Sequence, residues 1–167
     1  TLFPEEYDAV MLAFPGCKHE EVLDSLYKRV MDPSPSVHMP VARAIAIFIT
    51  KCGMFSPNPK IISNLLMNDH AVLCVVRLFS HYAKNGFFMK ENALMENLDK
   101  LKNIPFQIVQ GRYDMICPPR TAYKIHQALP HSSLVLVTDG GHSHGELGMA
   151  KALTQATENL KAHSEYF

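Results

Sequence analysis

Apolar positions recur at helical spacing through roughly the first hundred residues, and then the rhythm changes. Val22, Leu23, Leu26, Tyr27 and Val30 sit three and four apart and predict a helix over 19–31. Further helices are predicted over 5–14, 40–52, 61–67, 71–84 and 92–102. Asp32-Pro-Ser-Pro-Ser36 and Ser56-Pro-Asn-Pro59 break the run, because proline restricts both itself and the residue before it. After Ile104 the chain alternates. Apolar runs of strand length occupy 106–110 and 133–138, and helical patterns follow at 121–128 and 147–162. Strand, helix, strand, helix is a βαβ unit with its two strands parallel and adjacent. The expected fold class is therefore α/β, in two parts: an all-helical segment 1–103 and a βαβα segment 104–167.

Two parallel strands do not make a stable sheet. Parallel strands need cover on both faces and neighbours at their edges. The 104–167 segment thus reads as the last edge of a larger α/β sheet. Its first strand is expected to pair with another copy of the chain or with a separate N-terminal piece. The chain opens Thr-Leu-Phe-Pro-Glu-Glu, with no Met, basic start or apolar leader, and this too suggests that residues precede it.

Composition narrows the function. The chain is 47% hydrophobic, which supports a packed core. Sixteen basic and sixteen acidic residues leave no net charge, so neither nucleic acid nor an anionic membrane is an expected partner. No apolar run approaches the ~20 residues of a membrane span. Cys17, Cys52, Cys74 and Cys117 are far apart and form no CxxC pair. They read as the reduced thiols of a cytoplasmic protein. No metal or cofactor is expected: His142, His144 and Glu146 are not accompanied by a compact set of further ligands.

The candidate chemistry lies in the loops that leave the two strands, where doubly wound folds gather their functional groups. One loop is Gly111-Arg112-Tyr113-Asp114, the other Asp139-Gly140-Gly141-His142-Ser143. One crossover places both at the same end of neighbouring strands. Asp114 and His142, far apart in sequence, then come within hydrogen-bond reach. A carboxylate that orients an imidazole, and an imidazole that takes a proton from a hydroxyl, are two members of a catalytic triad. Their order, Asp before His, is that of Ser…Asp…His hydrolases. The nucleophile is missing: Ser143, although flanked as Gly141-His-Ser-His-Gly145, adjoins His142 and is not in a strand–turn–helix elbow, and no glycine-rich oxyanion loop occurs in the sequence.

The stretch Pro105-Phe-Gln-Ile-Val-Gln-Gly-Arg-Tyr-Asp-Met-Ile-Cys-Pro-Pro119 closely resembles the proline iminopeptidase (prolyl aminopeptidase) family of α/β-hydrolases, whose GRYD-x-x-CP segment carries the triad aspartate. Thr138-Asp-Gly-Gly-His-Ser-His-Gly-Glu146 resembles the family's D-A-G-H-S-x-x-E segment, which carries the triad histidine. Leu2-Phe3-Pro4-Glu5, His81-Tyr82 and Asn85-Gly86-Phe87 are similar to the family's cap region. The resemblance implies the C-terminal portion of an α/β-hydrolase: a helical cap at 1–103, then the last two strands, with Asp114 and His142 as catalytic residues. The family's nucleophile elbow would lie upstream of Thr1.

Two positions depart from the family. Its cap carries two glutamates that hold the substrate's charged amino terminus, in W-x-x-W-E and I-E-x-H-Y stretches. The corresponding residues here are Ile49 and Phe79. Either these are plain packing residues, or they line an altered substrate pocket. The resemblance implies a serine hydrolase that releases N-terminal proline or a similar residue from small peptides. The alternatives are a hydrolase of apolar esters or amides, and a catalytically silent binding protein of the same fold.

Overall fold

The computed structural model describes residues 2–164. In chain order these form helices α1 (Pro4–Met11), α2 (Val22–Val30), α3 (Pro35–Gly53), α4 (Pro59–Leu66) and α5 (Asp69–Lys84). Strand β1 (Gln107–Gly111), helix α6 (Pro119–Ala128), strand β2 (Ser133–Val137) and helix α7 (Leu147–Ser164) follow. Shorter 3₁₀ segments lie at His19–Glu21, Gly86–Phe88 and Met95–Leu101. The chain divides into two compact units. One comprises Thr1–Cys52 with Pro57–Lys90, the other Gly53–Ser56 with Glu91–Phe167.

Local chemistry explains where the helices of the first unit begin. Pro4 and Pro59 sit in the first turns of α1 and α4, where a missing N–H costs nothing. The Asn58 and Asn68 side chains cap α4 and α5 by accepting from the N–H groups of Lys60 and Ala71. The core collects the apolar faces of four helices: Val10 of α1, Leu26 and Val30 of α2, Val41, Ala42, Ile45 and Ala46 of α3, and Val72 and Val76 of α5. Phe14, just beyond α1, is 1% exposed and closes the core. Two arginines bind carbonyls at the ends of α1 and α2. Arg77 donates from Nε to the Val30 carbonyl at 2.7 Å, and Arg29 donates to the Ala13 carbonyl.

Most helix ends shift by one to three residues from the sequence expectation, and two helices differ more. Helix α3 starts at Pro35, not at 40, and carries Pro40 in its interior. Its start is set by a local turn in which Asp32 accepts from the Ser34 N–H at 2.8 Å, and the Ser34 carbonyl accepts from Val37 and His38. The α-helix expected over 92–102 is a 3₁₀ segment over Met95–Leu101. Asn92 has φ +59°, and the Asn97 side chain takes the Ala93 carbonyl that an α-helix would give to the Asn97 N–H. That N–H turns to Leu94 instead, which is the i→i+3 pattern.

In the second unit β1 and β2 pair in parallel, Gln107 opposite Ser133 through Gly111 opposite Val137. β1 lies one residue further along than its apolar run. α6 and α7 each pack on both strands and not on each other, as covers on two faces of a sheet do. Because the register ends on Gly111 and Val137, the loops after both strands leave side by side. Among the described residues no single helix is long and apolar enough to cross a membrane; α4 and α5 together reach that length but bend by 94° at their junction.

Candidate active site

The two loops are stitched together before any side chain takes part. The N–H of Arg112 donates to the Val137 carbonyl at 2.9 Å, and the N–H of Tyr113 to the Gly140 carbonyl at 3.0 Å. Gly111 lies so close to the opposite loop that a Cβ there would meet the carbonyl oxygens of both Gly140 and Gly141. Gly141 is pressed against the backbone of Gly53–Phe55, where a Cβ would stand 2.6 Å from the Phe55 nitrogen. Gly140 and Gly141 are residues that would allow an unusual backbone turn before His142. Neither adopts a positive φ; what they provide is room.

This stitching delivers Asp114 to His142. Asp114 Oδ2 and His142 Nδ1 are 3.0 Å apart, the separation expected of an orienter and its imidazole. The Asp114 side chain is 8% exposed and that of His142 44%. Burying a carboxylate is costly unless donors replace its water, and they do here. Oδ1 accepts from the N–H groups of Ile116 at 3.0 Å and Cys117 at 2.7 Å. Oδ2 also accepts from Gln110 Nε2 at 3.3 Å. A carboxylate oxygen accepts, so the geometry suits a ring that carries its proton on Nδ1, and in the neutral ring of that tautomer Nε2 keeps a lone pair. A half-exposed imidazole whose Nε2 can take a proton is the arrangement of a general base.

The same loop is held from a third side. The N–H of His142 donates to the Gly53 carbonyl at 2.6 Å, and that of Ser143 to the same oxygen at 3.1 Å. Glu146 accepts from the Phe55 N–H on Oε1 at 2.8 Å and from the Gly141 N–H on Oε2 at 2.7 Å. The Phe55 and Tyr113 rings stack at 5.0 Å. Sequence reasoning missed Gln110 and the Gly53–Ser56 segment. Gln110 is hidden as the fourth residue of a short strand, and Gly53–Ser56 carries no motif beyond that of a helix break. Beside the pair, burial pushes the Cys117 thiol up, and the charge of Asp114 adds to the effect.

The other two candidates belong to the first unit. Ile49 is on α3, partly buried and packed against the core of that unit. Phe79 is on α5 and 41% exposed. Near it on the same helix, His81 and Tyr82 form a cluster with Phe88, both ring centroids lying 5.6 Å from that of Phe88.

Comparison with known proteins settles the family. Residues 71–160, more than half of the chain, match the α/β-hydrolase family described as TAP-like protein. The chain belongs to that α/β-hydrolase family. Its architecture, helices followed by a parallel strand–helix–strand–helix unit, is that of the C-terminal portion of an α/β-hydrolase. The chain is also similar to curated proline iminopeptidases. It is 31% identical over 162 residues to the probable proline iminopeptidase of Leptolyngbya boryana, covering 96% of this chain and 50% of that one. It is 34% identical over 164 residues to the proline iminopeptidase of Arabidopsis thaliana, covering 97% and 43%. It is 31% identical over 162 residues to that of Xylella fastidiosa strain Temecula1, covering 95% and 51%. The chain thus spans about half the length of the curated relatives it matches.

Proposed function

We propose that this chain supplies the aspartate and histidine of a Ser-His-Asp triad in a cytoplasmic serine hydrolase of the proline iminopeptidase kind. Asp114 fixes the Nδ1–H tautomer of His142 and stabilises the imidazolium that forms. His142 Nε2 takes the proton of a serine hydroxyl and later gives it to the leaving amine. The serine and its oxyanion donors are carried on polypeptide N-terminal to these residues. The substrate is a small peptide or amide from which an N-terminal proline or similar residue is released, and the 1–103 segment is the cap. The observation that carries this reading is the 3.0 Å approach of a buried, fully donor-satisfied Asp114 to Nδ1 of a half-exposed His142. The similarity to proline iminopeptidases supports the substrate class.

Two details depend on the same reading. By the resemblance, Ile49 and Phe79 correspond to the two cap glutamates of the family, so in this reading the substrate's amine is not held by a carboxylate at these two positions. The outer edge of β1, one of two strands in the described sheet, takes a strand from the N-terminal portion or from another copy. The test is a single-turnover assay of the protein extended to the length of its relatives, with proline and N-acylproline anilides. Hydrolysis that disappears in His142→Ala and Asp114→Ala supports the reading. Full hydrolysis in both variants rejects it.

A further inference from the structure

We propose that Glu146 is the positioning residue of this site: a carboxylate clamp that holds the His142 loop in register with Asp114. The proposal rests on the reading of Asp114 and His142 as a catalytic pair, and extends it to a residue that touches neither.

The geometry is specific. Glu146 has two carboxylate oxygens, and each is given to a different backbone N–H. Oε2 accepts from Gly141, the residue immediately before His142, and Oε1 accepts from Phe55. The loop bonds back to the same short segment, because the N–H groups of His142 and Ser143 both donate to the Gly53 carbonyl. Three successive N–H groups, those of Gly141, His142 and Ser143, are therefore all directed at fixed acceptors on either side of the imidazole. The fit is close as well as polar. A Cβ at Gly141 would stand 2.6 Å from the Phe55 nitrogen and 2.7 Å from the Gly53 oxygen. The His142 Cβ lies only 3.6 Å from where a Cβ of Gly53 would be.

The His142 backbone moves when the Gly53–Ser56 segment moves, because its own N–H is bonded to the Gly53 carbonyl at 2.6 Å. Both Phe55 N–H and Gly141 N–H need an acceptor, and only an ionised carboxylate offers one to each without turning a donor toward either. Glutamine at this position has one oxygen and one NH₂. The amide therefore faces an N–H of the same sign, and one side of the clamp opens. Aspartate keeps both oxygens but is one methylene too short to reach both. Displacement of a catalytic group by about 1 Å is enough to cost ~10²-fold in rate.

The test is ¹⁵N NMR of the protein extended N-terminally to the length of its relatives, as wild type, Glu146→Gln and Glu146→Asp. The readouts are the His142 ring tautomer and the exchange protection of the Phe55 and Gly141 amides. In the wild type, His142 holds its proton on Nδ1 and both amides are protected. In each variant, at least one of the two amides loses about tenfold or more of its protection and the tautomer becomes mixed, while Val109 and Val135 in the strands keep theirs. Unchanged tautomer and protection in both variants overturn the proposal. Global loss of the fold in both overturns it too, since Glu146 would then be needed for folding and not for placing one loop. A wild type without an Nδ1–H tautomer would instead contradict the catalytic reading of the pair.

Discussion

Gly111 at the end of β1 lies against the carbonyl oxygen of Gly141, closer than any side chain allows. That approach lets the Tyr113 N–H reach Gly140 and brings Asp114 level with His142. Gly111→Ala should therefore force the two loops apart. The cost expected is at least ~2 kcal/mol, at the upper part of the range for overpacked sites, because backbone and not a flexible side chain is in the way. A urea midpoint and slope equal to those of the wild type would show that the loops yield without strain.

Asp114→Asn keeps the size of the side chain but offers an amide in place of the carboxylate. The imidazole then loses the partner that fixes its tautomer. In the full-length protein kcat should fall by about 10⁴-fold, the loss typical when a triad aspartate becomes asparagine. KM should change little, since Asp114 is 8% exposed and is not offered to substrate. A fall of less than tenfold would remove Asp114 from the machinery.

Cys117 is exposed, yet its thiol is harder to ionise than an ordinary cysteine because of local burial and the nearby Asp114 charge. It should alkylate with iodoacetamide more slowly than free cysteine at pH 8, and faster in Asp114→Asn. The sign for stability follows from the same shift. The folded chain resists forming the thiolate, so the unfolded chain ionises first once the pH passes about 9, the ordinary value. Stability should decline from there upward. Alkylation as fast as free cysteine would contradict the assigned environment.

Specificity should follow Ile49 and Phe79. With no carboxylate at these positions, a substrate carrying a free amine is desolvated without a charge partner, and an N-acyl or ester analogue avoids that cost. The full-length protein, lacking that partner, should discriminate little in kcat/KM between the acylated and the free-amine member of a matched pair. Ile49→Glu with Phe79→Glu should move the preference toward the free amine. Ile49 packs on the core, so Phe79→Glu alone is the gentler variant. A wild type that strongly prefers free N-terminal proline would sink this assignment.

The strands, the helices that follow them and the Asp114–His142 approach were all legible in the sequence, because period and loop placement at strand ends decide them together. Helix ends were less so. Pro35–Gly53 begins five residues early because a turn at Asp32 and Ser34 outweighs the prolines, and Met95–Leu101 tightens because the Asn97 side chain competes for a backbone carbonyl. The clamp made by Glu146 was not legible. Its partner Phe55 is 91 residues away and takes part only through its backbone, which leaves no trace in side-chain pattern.

The most direct test of the central claim uses a fluorophosphonate, which reacts only with a serine activated by a working histidine. The account predicts that the pure 167-residue chain takes no label. The protein extended N-terminally to the length of its relatives should be labelled at one serine in that extension, and His142→Ala should abolish the reaction. Stoichiometric labelling of any serine in the 167-residue chain, or undiminished labelling of the longer protein without His142, would contradict it.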